Sequence, residues 1–208
     1  MVVHKELLQH ADESEGLPRG VGRERILDEA RALFLGKGFA ATSMQEIAEA
    51  VGMTKPALYY HFRDKQELFL AVIAREMENG KRAFFEIMSV DASLPTRLAD
   101  GATWCFRSIQ GDMGRMMSDL HRFLPADRVH EFKCNHPMPV ELVARILEAA
   151  KQRGEIDQSE DPTMLARLFV GMVFGQLAMQ SSHEIQQIDP ERIGALVARV
   201  FVDGICLG

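Results

Sequence analysis

The chain is short of the residues that staple, span or catalyse. Three cysteines in 208 residues, Cys105, Cys134 and Cys206, are odd in number, unevenly spaced and without a CxxC pair. That excludes a disulfide framework and reads as reduced thiols in a reducing compartment. No apolar run approaches the length of a membrane span, and the first twenty residues lack the long apolar core of a secretion signal. The expected location is therefore the cytoplasm, with no membrane partner. No stretch alternates apolar and polar residues as a strand would, and no internal repeat is visible. Gly20-Val21-Gly22 is a lone GxG with no strand before it, a poor phosphate loop. No nucleophile and base can be paired, so no catalytic residue is assigned, and no cofactor is implied.

Positive charge is also scarce overall, with a net charge of −6. Its distribution is uneven. Between Arg19 and Lys65 eight basic residues face six acids, a net of +2, which leaves −8 on the remainder. A mildly basic head on an acidic body suits a sequence-specific reader of duplex DNA whose binding falls with salt.

What is present is helical periodicity, and a hydrophobic content of 47% is enough for a full core. Ile26, Leu27, Ala30, Leu33 and Phe34 mark a first helix from near Gly22 to Lys37, which Gly36 and Gly38 should end. The stretch 43–62, SMQEIAEAVGMTKPALYYHF, then holds two short helical patterns around one glycine. Ser43 with Glu46 three residues on forms a capping box. Ile47, Ala48 and Val51 share a face. Gly52 breaks the helix. Thr54 caps the next, with Pro56 in its first turn, where a missing N–H costs little. Leu58 and Phe62 point inward, and Lys55, Ala57, Tyr59, Tyr60 and His61 are left outward. A short helix, a tight turn and a polar second helix form an element that can enter a major groove.

Asp64 caps a long fourth helix, with Glu67 at the capping-box position, running through Leu68, Phe69, Val72 and Ile73 to Met88. Pro95 opens another helix, and Gly111 and Gly114 mark a bend before a methionine-rich segment. Further helices are expected over about 127–134, 140–153, 162–181 and from Asp189-Pro190 onward. The fold class is all-α with about nine helices.

The run Thr42-Ser43, Ile47-Ala48, Ala50, Gly52, Thr54-Lys55, Leu58 to Phe62, Lys65 and Leu68 resembles the helix-turn-helix of the tetracycline-repressor-like (TetR) family of transcriptional regulators. The resemblance covers the N-terminal third. Pro56 departs from it, since many members carry glycine there. Residues 1–18 are polar, with an Asp-Glu-Ser-Glu-Gly run, and are expected to be a mobile tail; the resemblance implies a helix-turn-helix domain over 19–65 and a helical effector-binding and dimerisation domain over 66–208. It implies that Thr42, Ser43, Thr54, Lys55, Tyr59, Tyr60, His61 and Lys65 contact operator DNA, with Pro56 and Ala57 at the groove floor. It also implies a homodimer through the helices near 162–181 and 190–206. The expected function is a repressor released from its operator by a small effector.

Large, deformable side chains in the body suggest an apolar pocket for that effector. The residues singled out are Phe85, Trp104, Phe106, Met113, Met117, Phe123, Met172 and Gln176, though ordinary core is the simpler reading of each alone. His121, His130, Cys134 and His136 are the only metal-like cluster, and no metal site is assigned to them. Two other readings stay open: a helical carrier or enzyme that happens to own a helix-turn-helix, and a metal- or redox-responsive regulator.

Overall fold

The computed structural model describes the backbone of residues 19–136, 139–179 and 189–204, and the side chains of 22–136, 139–175 and 189–204. The expected tail over 1–18, the side chain of Gln176 and Cys206 lie outside these. The described residues form helices α1 (Arg19–Ala41), α2 (Met44–Val51), α3 (Lys55–His61), α4 (Lys65–Met88), α5 (Leu94–Gln110), α6 (Asp112–Phe123), α7 (Ala126–Asn135), α8 (Val140–Gln152), α9 (Pro162–Met179) and α10 (Pro190–Asp203). No strand occurs among them.

Local signals set most boundaries. The α2 capping box is complete: Ser43 Oγ accepts from Glu46 N, and Glu46 Oε2 accepts from Ser43 N at 2.9 Å. Gly52 ends α2 at φ +77°, which glycine adopts without strain. Thr54 accepts from Ala57 N to start α3. At α4 the expected box is half made. Asp64 accepts from Glu67 N at 2.7 Å, but Glu67 turns instead to the backbone N–H and guanidinium of Arg63. The first helix also differs from expectation. Gly36 does not end it; the helix is broken at Gly38 (φ +81°) and resumes to Ala41.

Two apolar cores result. In the N-terminal core Ile26, Leu27, Ala30 and Phe34 of α1 meet Ile47, Ala48, Val51, Leu58 and Phe62 from α2, α3 and the residue after it. Leu68, Phe69, Val72 and Ile73 from the first half of α4 close it from below. It does not stop at residue 65, because Met116, Leu120, Val129 and Phe132 of α6 and α7 belong to it as well. The second core lies between α5, α8, α9, α10 and the far end of α4, around Phe84, Leu98, Phe106, Leu147, Phe169, Val197 and Phe201. Here α5 and α10 approach so closely that a methyl on Gly194 would overlap the Thr103 hydroxyl and lie 2.8 Å from Thr103 N and 3.0 Å from Ala99 O. The 24-residue α4 runs through both cores.

Polar contacts tie the two ends together. Arg31 on α1 bonds Glu76 on α4 (2.8 Å) and Asp112 on α6 (3.0 Å). Arg128 on α7 reaches Gln66 (2.9 Å) and Asp64 (3.6 Å) at the start of α4. Asp119 on α6 accepts a hydrogen bond from Phe39 N at 2.8 Å, just past the break in α1.

Candidate nucleic-acid interface

The outward face of α3 is built by what its inward face buries. Leu58 and Phe62 are sealed in the N-terminal core, with Arg23 stacked over the Phe62 ring at 4.5 Å. At 100° per residue, burying these two positions turns Tyr59 and Tyr60 out. Tyr59 is 43% exposed and Tyr60 80%. The Tyr60 ring meets His61 edge-on at 5.6 Å, and both phenols are presented to solvent instead of the core. Thr54, Lys55, Pro56 and Ala57 are exposed at the start of the same helix, and Lys55 has no partner among the described residues. Ser43 is exposed at the head of α2. The result is a shallow ridge of hydroxyls, one ammonium, an imidazole and two phenols.

The remaining two residues of the expected DNA face turn inward. Thr42 is 2% exposed, and its hydroxyl donates to Gly38 O (2.9 Å) and Leu33 O (3.3 Å) across the α1 break. Lys65 donates from Nζ to the carbonyls of Phe39 (2.8 Å) and Thr42 (2.8 Å) and lies 4.3 Å over the Phe39 ring. Burial holds its ammonium below the usual lysine range. Both residues therefore fix the corner between α1 and α2, which sets how α2 and α3 project. Lys37 is spent similarly: its ammonium bonds Glu46 at 2.5 Å, which leaves less free positive charge on the ridge than the count of basic residues suggests.

The residues expected to form an effector pocket are not brought together. Phe106 is fully buried core. Trp104 packs on Phe84, with ring centroids 6.0 Å apart, and against Gly80. Met172 leans on the same core. Met113, Met117 and Phe123 instead pack against the N-terminal core, and Phe85 is 49% exposed. The separation arises because α6 presents its methionines upward while α5 and α9 face the body. A cleft of about 400 Å³ does occur elsewhere, between the α1 break and the α5–α6 bend, walled by Phe34, Leu35, Phe69, Ile109 and Met116 with Asp119 beside them.

The histidines and cysteines are dispersed. His130 Nε2 and Cys134 Sγ are 3.6 Å apart on exposed α7. His136 stacks on Phe132 with its Nδ1 at Phe132 O, and His121 contacts Met117 O. Among the described residues no three His, Cys, Asp or Glu side chains are grouped to hold a metal ion. Cys105 is buried, which pushes its thiol up to about 12 and keeps it protonated. No helix among the described residues is long and apolar enough to cross a membrane.

Comparison with known proteins supports this geometry. The family model described as "Bacterial regulatory proteins, tetR family" matches residues 26–72, from the first core residue of α1 into the first half of α4. The transcriptional repressor ComR of Escherichia coli is 31% identical over 175 residues, covering 80% of this chain and 83% of ComR. The transcriptional activator FasR of Mycolicibacterium smegmatis is 44% identical over 63 residues, covering 30% of this chain and 29% of FasR. Among solved structures, SmeT, the repressor of the Stenotrophomonas maltophilia multidrug efflux pump SmeDEF, has the same fold. It superimposes with a TM-score of 0.60 at 21% identity over 89% of this chain and 90% of SmeT, and it is also known as a triclosan complex. An outward helix-turn-helix ridge that the family model matches, on a chain similar to the repressor ComR along most of its length, places the chain in the tetR family of bacterial regulatory proteins, as a DNA-binding transcriptional regulator.

Proposed function

We propose that the chain is a homodimeric repressor that leaves its operator when a small, apolar effector binds the helical body. The observation carrying the DNA face is the outward α3 surface, with Tyr60 80% exposed beside Lys55, which has no partner among the described residues. Lys55, Thr54, Ser43 and His61 bind phosphates, and Pro56, Ala57, Tyr59 and Tyr60 meet the groove floor, where the Ala57 methyl can touch a thymine methyl. Thr42 and Lys65 act from behind, by holding the corner.

One such helix reads too few base pairs for high specificity, so two copies about one DNA turn (~34 Å) apart are needed. The surface suited to pairing is the outer side of α9 and α10. Met164, Leu168, Leu196 and Val200 are exposed there, and among the described residues no other part of the chain lies within 4 Å of a methyl placed on Gly171 or Gly175. Those glycines each cost about 1 kcal/mol in a helix, a cost offset by close approach of a second copy. Repression follows the name of ComR, and an apolar effector follows the triclosan complex of SmeT. The effector acts only if it binds the released conformation more tightly than the DNA-bound one, and α4, common to both cores, carries the change.

The test is fluorescence anisotropy with labelled duplex from the region upstream of the protein's own gene. Tyr60→Ala should weaken binding by tenfold or more while leaving the helical circular dichroism and melting temperature unchanged. Lys55→Gln should weaken all duplexes alike and reduce the salt slope by about 1. Leu168→Glu should yield monomers in sedimentation and lose operator binding with them. Full affinity in the Tyr60 variant would remove α3 from the interface.

A further inference from the structure

The cleft at the α1 break is lined by none of the residues expected to form an effector pocket. Its walls are apolar side chains from both ends of the molecule: Phe34 and Leu35 of α1, Phe69 of α4, Ile109 of α5 and Met116 of α6. At about 400 Å³ it lies within the range of small-molecule sites. Two glycines shape it. Gly38 supplies the left-handed backbone of the break, and a methyl on Gly114 would collide with the Ile109 carbonyl, so the α5–α6 bend closes only around glycine.

The charges lining it are unequal. Arg115 lines the cleft, but its side chain is 66% exposed and its guanidinium bonds Asp112 at 2.6 Å. Asp119 also lines it, one helical turn from Arg115, and makes no ion pair among the described residues. One carboxylate oxygen accepts from Phe39 N at 2.8 Å, and the other has no partner among the described residues. A carboxylate can accept about four hydrogen bonds. A cleft with five large apolar side chains on its walls, Gln110, Arg115 and Ser118 among its polar lining, and one carboxylate with an oxygen to spare fits an apolar or aromatic group carrying an ammonium.

We propose that this cleft binds small cationic amphiphiles, with the ammonium on Asp119 and the apolar part between Phe34, Ile109 and Met116. The site adjoins the helix-turn-helix. Asp119 holds the amide of Phe39, whose carbonyl Lys65 holds in turn. An occupant therefore acts on the segment that leads into α2. This last consequence rests on the regulator reading above; the binding itself does not.

The experiment is NMR titration of full-length, ¹⁵N-labelled protein with three probes of one shape: naphthylethylammonium, naphthylethanol and naphthylacetate. The ammonium should bind saturably and shift the amides of Gly38 and Phe39, with the alcohol and the carboxylate about tenfold weaker or more. Asp119→Asn should reduce the ammonium to the level of the alcohol. If that variant does not fold, Leu35→Trp decides the matter: it fills the cleft, leaves the Phe39–Asp119 bond in place, and should abolish binding. No saturable shift at Gly38 and Phe39 with any probe would overturn the proposal, as would a carboxylate bound as tightly as the ammonium or unchanged binding to Leu35→Trp. Operator binding measured on the same samples separates the two readings. Probe binding without DNA binding keeps the site and sinks the regulator; DNA binding without probe binding does the reverse.

Discussion

Replacing Lys65 by methionine keeps most of the aliphatic stem and removes the ammonium. In the structure that ammonium makes two 2.8 Å bonds to carbonyls of residues 39 and 42 and covers the Phe39 ring. Hydrogen bonds from a charged donor contribute about 1.5–3 kcal/mol each, and a cation over a ring about 0.5–1 kcal/mol. The site is partly open, so water recovers some of this. The expected loss is about 2–3 kcal/mol, a fall in melting temperature of roughly 4–12 °C for a chain this size. Amide exchange should accelerate at Thr42 and Ser43 before it does in α8 or α9. DNA binding should weaken too, but through the corner and not through a lost phosphate contact, so the salt slope should stay near that of the wild type. The assays are thermal melts followed by circular dichroism, hydrogen exchange, and salt-titrated anisotropy. An unchanged melting temperature together with a salt slope lower by about 1 would show that Lys65 faces phosphate and that its structural role here is wrong.

The Glu46 carboxyl is held at about 2, first by the Lys37 ammonium and then by the backbone and hydroxyl of Ser43. Because the folded value is depressed, its contribution is complete above the ordinary value of 4.5 and is lost as pH falls toward 2. Carboxyl NMR titration should place its midpoint near 2, and a midpoint at the ordinary value would mean the capping box is open in solution. Gly194→Ala should cost about 1–3 kcal/mol by forcing α10 away from α5, read as a lower denaturation midpoint. Arg97 is 7% exposed, and its Nε and one terminal nitrogen have no hydrogen-bond partner, although that terminal nitrogen lies 3.6 Å from Glu155. Arg97→Met should therefore be neutral or stabilising, whereas Glu155→Ala should cost about 1–3 kcal/mol by leaving a buried guanidinium unbalanced; urea unfolding of the two variants checks the asymmetry.

The helix-turn-helix was legible because its instructions are local. Ser43 with Glu46, Gly52, Thr54 and Pro56 each act within four residues, and every one sits where the pattern put it. The long α4, capped by Asp64, was readable for the same reason. Roles fixed by distant neighbours were not. Lys65 turns inward because carbonyls 23 and 26 residues earlier converge on it, which no window of sequence contains. The methionines of α6 looked like pocket lining, and the chain alone gave no sign of which core the helix faces. The apolar stripe of α10 divides likewise: Val197 and Phe201 go to the core, while Leu196 and Val200 stay outside. Periodicity marks both sets as apolar and cannot say which of them the core takes. A signal for the cleft was present in Gly38 and Gly114, but only the fold sets Asp119 beside the first.

The most direct test of the central claim is equilibrium binding of the full-length chain to duplex DNA from its own upstream region at two salt concentrations, with a footprint at saturation. A symmetric regulator reading with α3 should give saturable binding that weakens steeply with salt and two protected patches about one helical turn apart. No saturable binding to any such duplex at low salt, or a single protected patch of one half-site, would contradict it.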